Sequence, residues 1–296
     1  MWEGFDERVV ALASGSIFIR SGGHGRPLLL LHGFPETHMM WRDVAPRLMS
    51  HFTVVCADLR GYGRSGCPAS APDHAPYSKR AMAAELVALM RALGHERFLV
   101  AGHDRGGRVA YRMALDRRDA VSKVAVLDVV ATADAWDRAD ARFALGFWPW
   151  VLLAQAEPLP ERLILAAPHA VIENVVAQWG SSEQTFPKPI QAAYASVLSD
   201  PQHVHAICEE YRAGATIDRE HDADDRAARR RIDCPLLALW SGEGPLARWY
   251  EAEGGPLGLW RHWAVNATGA AVRGGHFFPE EYPAETANAL RAFFAD

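Results

Sequence analysis

Apolar runs along the first half of the chain recur at intervals, and each ends abruptly at a glycine or an acidic residue. Pro27 to Leu31 stops at His32-Gly33, Phe52 to Ala57 at Asp58-Leu59-Arg60-Gly61, and Phe98 to Ala101 at Gly102. Val121 to Val130 contains another such run, interrupted by Asp128. Short runs without polar alternation read as strands buried on both faces, the pattern of a parallel sheet. Between the second and third runs, Met82, Leu86, Leu89, Met90 and Leu93 share one helical stripe; Ser78 is placed to cap this helix and Gly94 to end it. Strands alternating with amphipathic helices predict an α/β fold, a mostly parallel central sheet flanked by helices. The alternation stops after Val130. Residues 131–232 read as helical, rich in alanine and tryptophan, with no convincing strand. Pro235 to Trp240 is strand-like again, Gly269 to Arg273 more weakly so, and the chain closes on a helix carrying Leu290, Phe293 and Phe294. The expectation is a core of residues 1–130 and 233–296 with a helical cap, residues 131–232, inserted between two strands.

Composition adds limits. The 296 residues are 49% hydrophobic and 23% charged, ordinary for a soluble globular protein large enough for a core and a subdomain. A formal net charge of -5 gives no reason to expect nucleic acid. The basic run Arg229-Arg230-Arg231 follows the acidic stretch Asp218 to Asp225 and reads as a solvated face of mixed charge. Cys56, Cys67, Cys208 and Cys234 are widely spaced and contain no CxxC pair, so reduced thiols are expected, with neither a metal site nor a cofactor. The segment from Met1 to Glu7 is acidic and lacks a secretory core, and the longest uncharged apolar run, Phe143 to Ala154, is too short to span a bilayer. These features predict a cytoplasmic protein without a membrane partner.

The chemistry concentrates in Gly102-His103-Asp104-Arg105-Gly106, a G-x-nucleophile-x-G pattern between an apolar strand and a helix. The turn is so tight that side chains two positions either side of the nucleophile would clash, hence the glycines. The other parts of a nucleophile-elbow site follow in chain order. His32-Gly33-Phe34-Pro35 comes directly after a strand, so the Phe34 and Arg105 N–H groups are candidates for an oxyanion hole. His276, in Gly274-Gly275-His276, is the candidate base. Asp128 is the candidate acid that orients it, with Glu243 in Ser241-Gly242-Glu243-Gly244 as the competitor.

An aspartate at the elbow suits an electrophilic sp3 carbon. Its carboxylate, with an ordinary pKa of about 4, is already anionic at neutral pH and displaces a leaving group without a base. The product is an ester on the enzyme, which a histidine-activated water then hydrolyses. Displacement of halide and opening of an epoxide both fit. Arg105 and Arg108 narrow the choice. They occupy the first turn of the elbow helix, where the macrodipole disfavours cations. Their presence makes sense if the substrate is an anion that must approach an anionic nucleophile.

The motifs His32-Gly33-Phe34-Pro35, Asp58-Leu59-Arg60-Gly61-Tyr62-Gly63-Arg64-Ser65, Gly102-His103-Asp104-Arg105-Gly106-Gly107-Arg108 and Tyr211-Arg212-Ala213-Gly214-Ala215 together resemble the α/β-hydrolase-fold haloacetate dehalogenases, fluoroacetate dehalogenases included. The first two are shared with epoxide hydrolases; the elbow with both arginines discriminates. The resemblance implies that Arg105 and Arg108 clamp the carboxylate of a small haloacid. It further implies that a cap histidine, the tryptophan after it and a tyrosine hold the leaving halide, and that the protein is a homodimer. Trp150 and Tyr211 match the tryptophan and tyrosine; Trp148 and Trp179 read as packing. The histidine position is Pro149, which has neither a side-chain donor nor a backbone N–H. The expected substrates are therefore chloroacetate and bromoacetate, with defluorination weakened. Two rival readings remain. An epoxide hydrolase would use Asp104 and His276 alike and recruit Tyr211 with Tyr194, whereas a binding protein would capture a small carboxylate without turnover.

Overall fold

The computed structural model describes residues 2–181 and 184–295. Eight strands form one sheet in the order β1-β2-β4-β3-β5-β6-β7-β8. Their ranges are β1 Phe5–Leu12, β2 Gly15–Gly23, β3 Arg26–Leu31, β4 Phe52–Ala57, β5 Phe98–His103, β6 Val121–Leu127, β7 Leu236–Ser241 and β8 Ala267–Val272. β3 to β8 pair in parallel, while β1 with β2 and β2 with β4 are antiparallel. The N-terminal hairpin was not expected from the sequence. Its outer strand shows no clean alternation of buried and exposed positions, because it lies at the sheet edge and packs little on either side.

The central strands are buried on both faces, as their continuous apolar runs require. Leu29, Leu31 and Val100 point into a cluster beneath helices Lys79–Ala92 and Asp104–Asp116. Leu28, Leu30, Leu99 and Ala101 point into the opposite cluster, closed by Trp41, Leu48, Leu290 and Phe294. Ser78 caps helix Lys79–Ala92 by accepting the Ala81 N–H at 3.2 Å, and Gly94 beyond its end has φ 86°.

The parallel register aligns the functional turns. Leu31 lies opposite Gly102, and His103 opposite Leu127. The residues leaving β3, β5 and β6, namely His32 to Phe34, Asp104 and Asp128, therefore emerge side by side at the carboxyl edge, where open α/β sheets build their sites. Between β6 and β7 the chain runs through helices from Thr132 to Ala227, with no strand among the described residues. Helix Pro201–Ala215 of this insertion returns to lie over the elbow helix.

Candidate active site

Asp104 opens its helix with φ 45°, a left-handed conformation that aims the carboxylate out of the turn. The neighbours leave no room for alternatives. A Cβ on Gly106 would fall 2.5 Å from the His32 oxygen, and one on Gly102 would fall 2.2 Å from the Gly106 oxygen. A Cβ on Gly33 would meet the Asp104 Cβ at 2.5 Å. Close approach of the Gly33 loop lets the Phe34 N–H donate to Asp104 Oδ1 at 2.9 Å. Burial alone would raise the Asp104 carboxyl, but the charges of His276, Arg105, His103 and Arg108 outweigh it and hold its pKa below the ordinary carboxylate value.

Asp128 follows β6 with φ 53°. Its Oδ1 accepts the Ser241 N–H at 2.8 Å, and its Oδ2 lies 2.6 Å from His276 Nδ1. Glu243, the competing acid, instead accepts the Gly274 N–H at 3.3 Å and makes no bond to the imidazole. The other ring nitrogen, His276 Nε2, is buried without a hydrogen-bond partner among the described residues. The His276 main-chain N–H donates to the Trp179 carbonyl at 2.8 Å, and the Trp179 ring stands edge-on to the imidazole at 5.0 Å. Trp179 is therefore a wall of the site rather than remote packing. Trp148 does point away, donating to Asn174 Oδ1 at 2.9 Å. A cavity of about 270 Å³ opens onto His276 and Asp128 between Phe147, Trp179 and Trp249.

The two arginines are held differently. Arg105 Nε donates to Glu210 Oε1 at 2.9 Å and its Nη2 to the Glu210 carbonyl at 3.2 Å. Glu210 also meets Lys79 Nζ at 2.8 Å and accepts the Tyr62 hydroxyl at 2.8 Å. Burial works against the Arg105 charge, but Glu210 outweighs it and the guanidinium is strengthened as a cation. Arg108 has no such partner. It is 5% exposed, its Nη1 donates to the Val130 carbonyl at 2.6 Å, its Nε has no acceptor, and it forms no ion pair among the described residues. Burial, then repulsion from Arg105, lowers its pKa.

Trp150 and Tyr211 close over this pair. The Arg105 guanidinium lies 3.9 Å from the Tyr211 ring centre, and that of Arg108 lies 4.3 Å from the Trp150 ring centre. Tyr211 also packs edge-on against Phe34 at 5.7 Å. Neither the Tyr211 hydroxyl nor the Trp150 indole N–H donates to a protein acceptor among the described residues. Pro149 is buried in the first turn of helix Trp148–Leu153. The structure thus brings Asp104, Phe34, Arg105, Arg108, Trp150 and Tyr211 together, and sets Asp128 with His276 beside them. Glu210 was missed in the sequence. The available signal was a carboxylate on the otherwise apolar stripe of its helix.

No group of three or more His, Cys, Asp or Glu side chains among the described residues is arranged to hold a metal ion, and no described helix is long and apolar enough to cross a membrane. The four cysteines are free thiols.

Residues 26–278 match the model of the alpha/beta hydrolase fold family. A fluoroacetate dehalogenase from Burkholderia sp is 43% identical over all of this chain and 96% of its own length. A soluble epoxide hydrolase from Corynebacterium sp. (strain C12) is 32% identical over 93% of this chain and 92% of its own. A crystal structure from Nostoc sp PCC 7120, provisionally assigned as an alpha/beta hydrolase, superposes with a TM-score of 0.95 at 44% identity, covering 99% of both chains. The chain belongs to the alpha/beta hydrolase fold family and is a dehalogenase-like hydrolase within it.

Proposed function

We propose that this protein hydrolytically dehalogenates small 2-haloacids such as chloroacetate and bromoacetate. The observation that carries the reading is Arg108, a buried guanidinium beside the candidate nucleophile with no carboxylate of its own. Taking a cation out of water costs several kcal/mol unless an anion meets it, on the order of the penalty for any buried ion. A haloacetate supplies that anion. With its carboxylate on Arg108 and Arg105, its α-carbon reaches Asp104 Oδ2, the oxygen not engaged by Phe34.

Asp104 Oδ2 attacks the α-carbon and the carbon–halogen bond breaks, its electron pair leaving on the halide between Trp150 and Tyr211. The resulting ester keeps Oδ1 as its carbonyl oxygen. His276 Nε2 then takes a proton from water, and the hydroxide adds to the Asp104 carboxyl carbon. Negative charge gathers on Oδ1, where the Phe34 and Arg105 N–H groups receive it. Collapse releases the 2-hydroxy acid, returns the Asp104 carboxylate carrying one oxygen from water, and leaves the proton on His276. Asp128 holds the imidazole with Nε2 facing the ester. The helices between β6 and β7 act as a cap that closes over the arginines.

Pro149 sets the preference among halogens. Fluoride concentrates its charge and leaves poorly, so a lost donor costs C–F cleavage most, about 1–3 kcal/mol or roughly ten- to a hundredfold. Halide release from fluoro-, chloro- and bromoacetate, followed by ion chromatography with Asp104→Asn as control, tests the reading. Equal rates on fluoroacetate and chloroacetate contradict the role of Pro149.

The epoxide-hydrolase reading draws support from the Corynebacterium relative. It needs a second tyrosine beside Tyr211, and the Tyr194 hydroxyl donates instead to Glu280 at 3.2 Å. Diol formation from epoxides at rates above halide release would favour it. We also propose a cytoplasmic homodimer, as the family resemblance implies; sedimentation tests the dimer.

A further inference from the structure

Behind His276 lies a buried chain of titratable groups that the proposed reaction does not use. The side chains of Glu36 and Glu280 are both 0% exposed. Glu36 Oε2 accepts the Gly33 N–H at 3.3 Å and lies 3.1 Å from His103 Nδ1. The other nitrogen of that ring, His103 Nε2, is 2.8 Å from the main-chain oxygen of His276. Glu280 Oε1 accepts from the Arg42 guanidinium and from the Tyr194 hydroxyl. That leaves Glu36 Oε1 and Glu280 Oε2, both buried without a donor among the described residues, and the two carboxyls are within hydrogen-bonding reach of one another.

Protons can be counted along this chain. A carbonyl only accepts, so His103 Nε2 carries a hydrogen. The contact from His103 Nδ1 to Glu36 requires a second hydrogen, and the contact from Glu36 to Glu280 a third. His103, Glu36 and Glu280 together are then electrically neutral, with Arg42 as the cation at the far end. Two ionised carboxylates facing each other in a dry site would repel strongly; one proton between them removes the repulsion and satisfies both orphan oxygens. The surroundings agree. Burial pushes Glu36 up to about 7 against the pull of its bond to Glu280 and of the His276 charge, with Asp104 adding to the rise. Burial, then Glu36, raises Glu280 well above its ordinary range despite Arg42.

We propose that Glu36 and Glu280 share one proton at neutral pH and that the pair positions the catalytic loops. Through His103 it fixes the His276 carbonyl, and through the Gly33 N–H it fixes the loop that presents Phe34 to Asp104. Glu36 is a positioning residue that acts through His103. The kinetic consequences rest on the reading of Asp104 and His276 given above, whereas the shared proton does not.

Glu36→Gln replaces the shared proton by an amide N–H that does not titrate, and Glu36→Ala removes both contacts. The first readout is the pH dependence of Tm. A carboxyl whose folded pKa is raised stabilises fully below its unfolded pKa, and that contribution is lost as pH rises. The pair therefore adds a downward slope to the wild-type Tm from about pH 4.5 through 7 and beyond, and comparison with Glu36→Gln separates it from the opposite slope of the buried His32, whose lowered pKa of about 4 adds stability as pH rises. Glu36→Gln flattens this slope. Parallel Tm curves for wild type and Glu36→Gln overturn the shared proton. If Glu36→Gln does not fold, Glu280→Gln is measured in the same way with the same two outcomes. The second readout is halide release. Glu36→Ala lowers kcat by roughly ten- to a hundredfold with KM little changed, and Glu36→Gln restores it to within about threefold. A glutamine variant as slow as the alanine variant overturns the positioning role. Wild type that releases no halide sinks the functional reading, and the Tm comparison still decides the shared proton.

Discussion

Replacing Arg108 by glutamine separates a substrate clamp from a structural arginine. At a separation of about 4 Å and an effective dielectric of about 20, a guanidinium attracts a carboxylate by roughly 4 kcal/mol. Arg105 remains in the variant, but two of its N–H groups are already taken by Glu210. We therefore expect to lose about 2–4 kcal/mol, or roughly 30- to 1000-fold in kcat/KM on chloroacetate. Chloroacetamide has nearly the same shape and no charge, and its kcat/KM should change by less than about threefold, because the interaction removed is electrostatic. Halide release by ion chromatography measures both substrates, with Asp104→Asn subtracting any non-enzymatic alkylation of the free thiols. The fold should not suffer, because Arg108 is a buried cation without an acidic partner and its removal relieves a desolvation penalty. Equal losses on the charged and neutral substrates, or a fall in Tm that accounts for the loss, refute the reasoning.

Other outcomes follow from the same geometry. The neighbouring cations hold the Asp104 carboxyl below its ordinary value of 3.8, so halide release in a single turnover stays level as pH falls to about 4 and is lost only below it. A burst that titrates near neutrality contradicts this. Asp128→Asn sets an amide N–H against a donor, the Ser241 N–H or the His276 ring. The halide burst should survive while ester hydrolysis slows by about 10³ to 10⁴, as measured by rapid quench. Pro149→His restores a donor at the halide end, and the fluoride-to-chloride rate ratio should rise about tenfold or more.

The sequence made the elbow legible because its constraint is local. Gly102 and Gly106 are demanded by atoms within a few residues of Asp104, or by the adjoining strand, and an apolar run followed by that pentapeptide has few other uses. The buried strands β3 to β6 were legible because both of their faces are covered. The hairpin β1–β2 was not, since an edge strand leaves only a weak trace in the pattern of apolar positions. Glu210 and the Glu36–Glu280 pair were hidden for a different reason. Glu210 meets Tyr62 in a loop and Lys79 and Arg105 on two helices, all of them 105 to 148 residues away from it in the chain. Their burial is created by tertiary convergence, and no local window contains it. Trp179 reached the imidazole in the same way, across a turn that only the fold brings close.

The most direct test of the account is a search for its covalent intermediate. His276→Asn removes the base that the second step needs and leaves the first step intact. Incubated with chloroacetate, this variant should release about one equivalent of chloride per site and retain one carboxymethyl group, located on Asp104 by peptide mass spectrometry. Chloride release without an adduct would contradict nucleophilic attack by Asp104. Tight binding of the substrate with neither chloride nor adduct would mark the protein as a carboxylate-binding module.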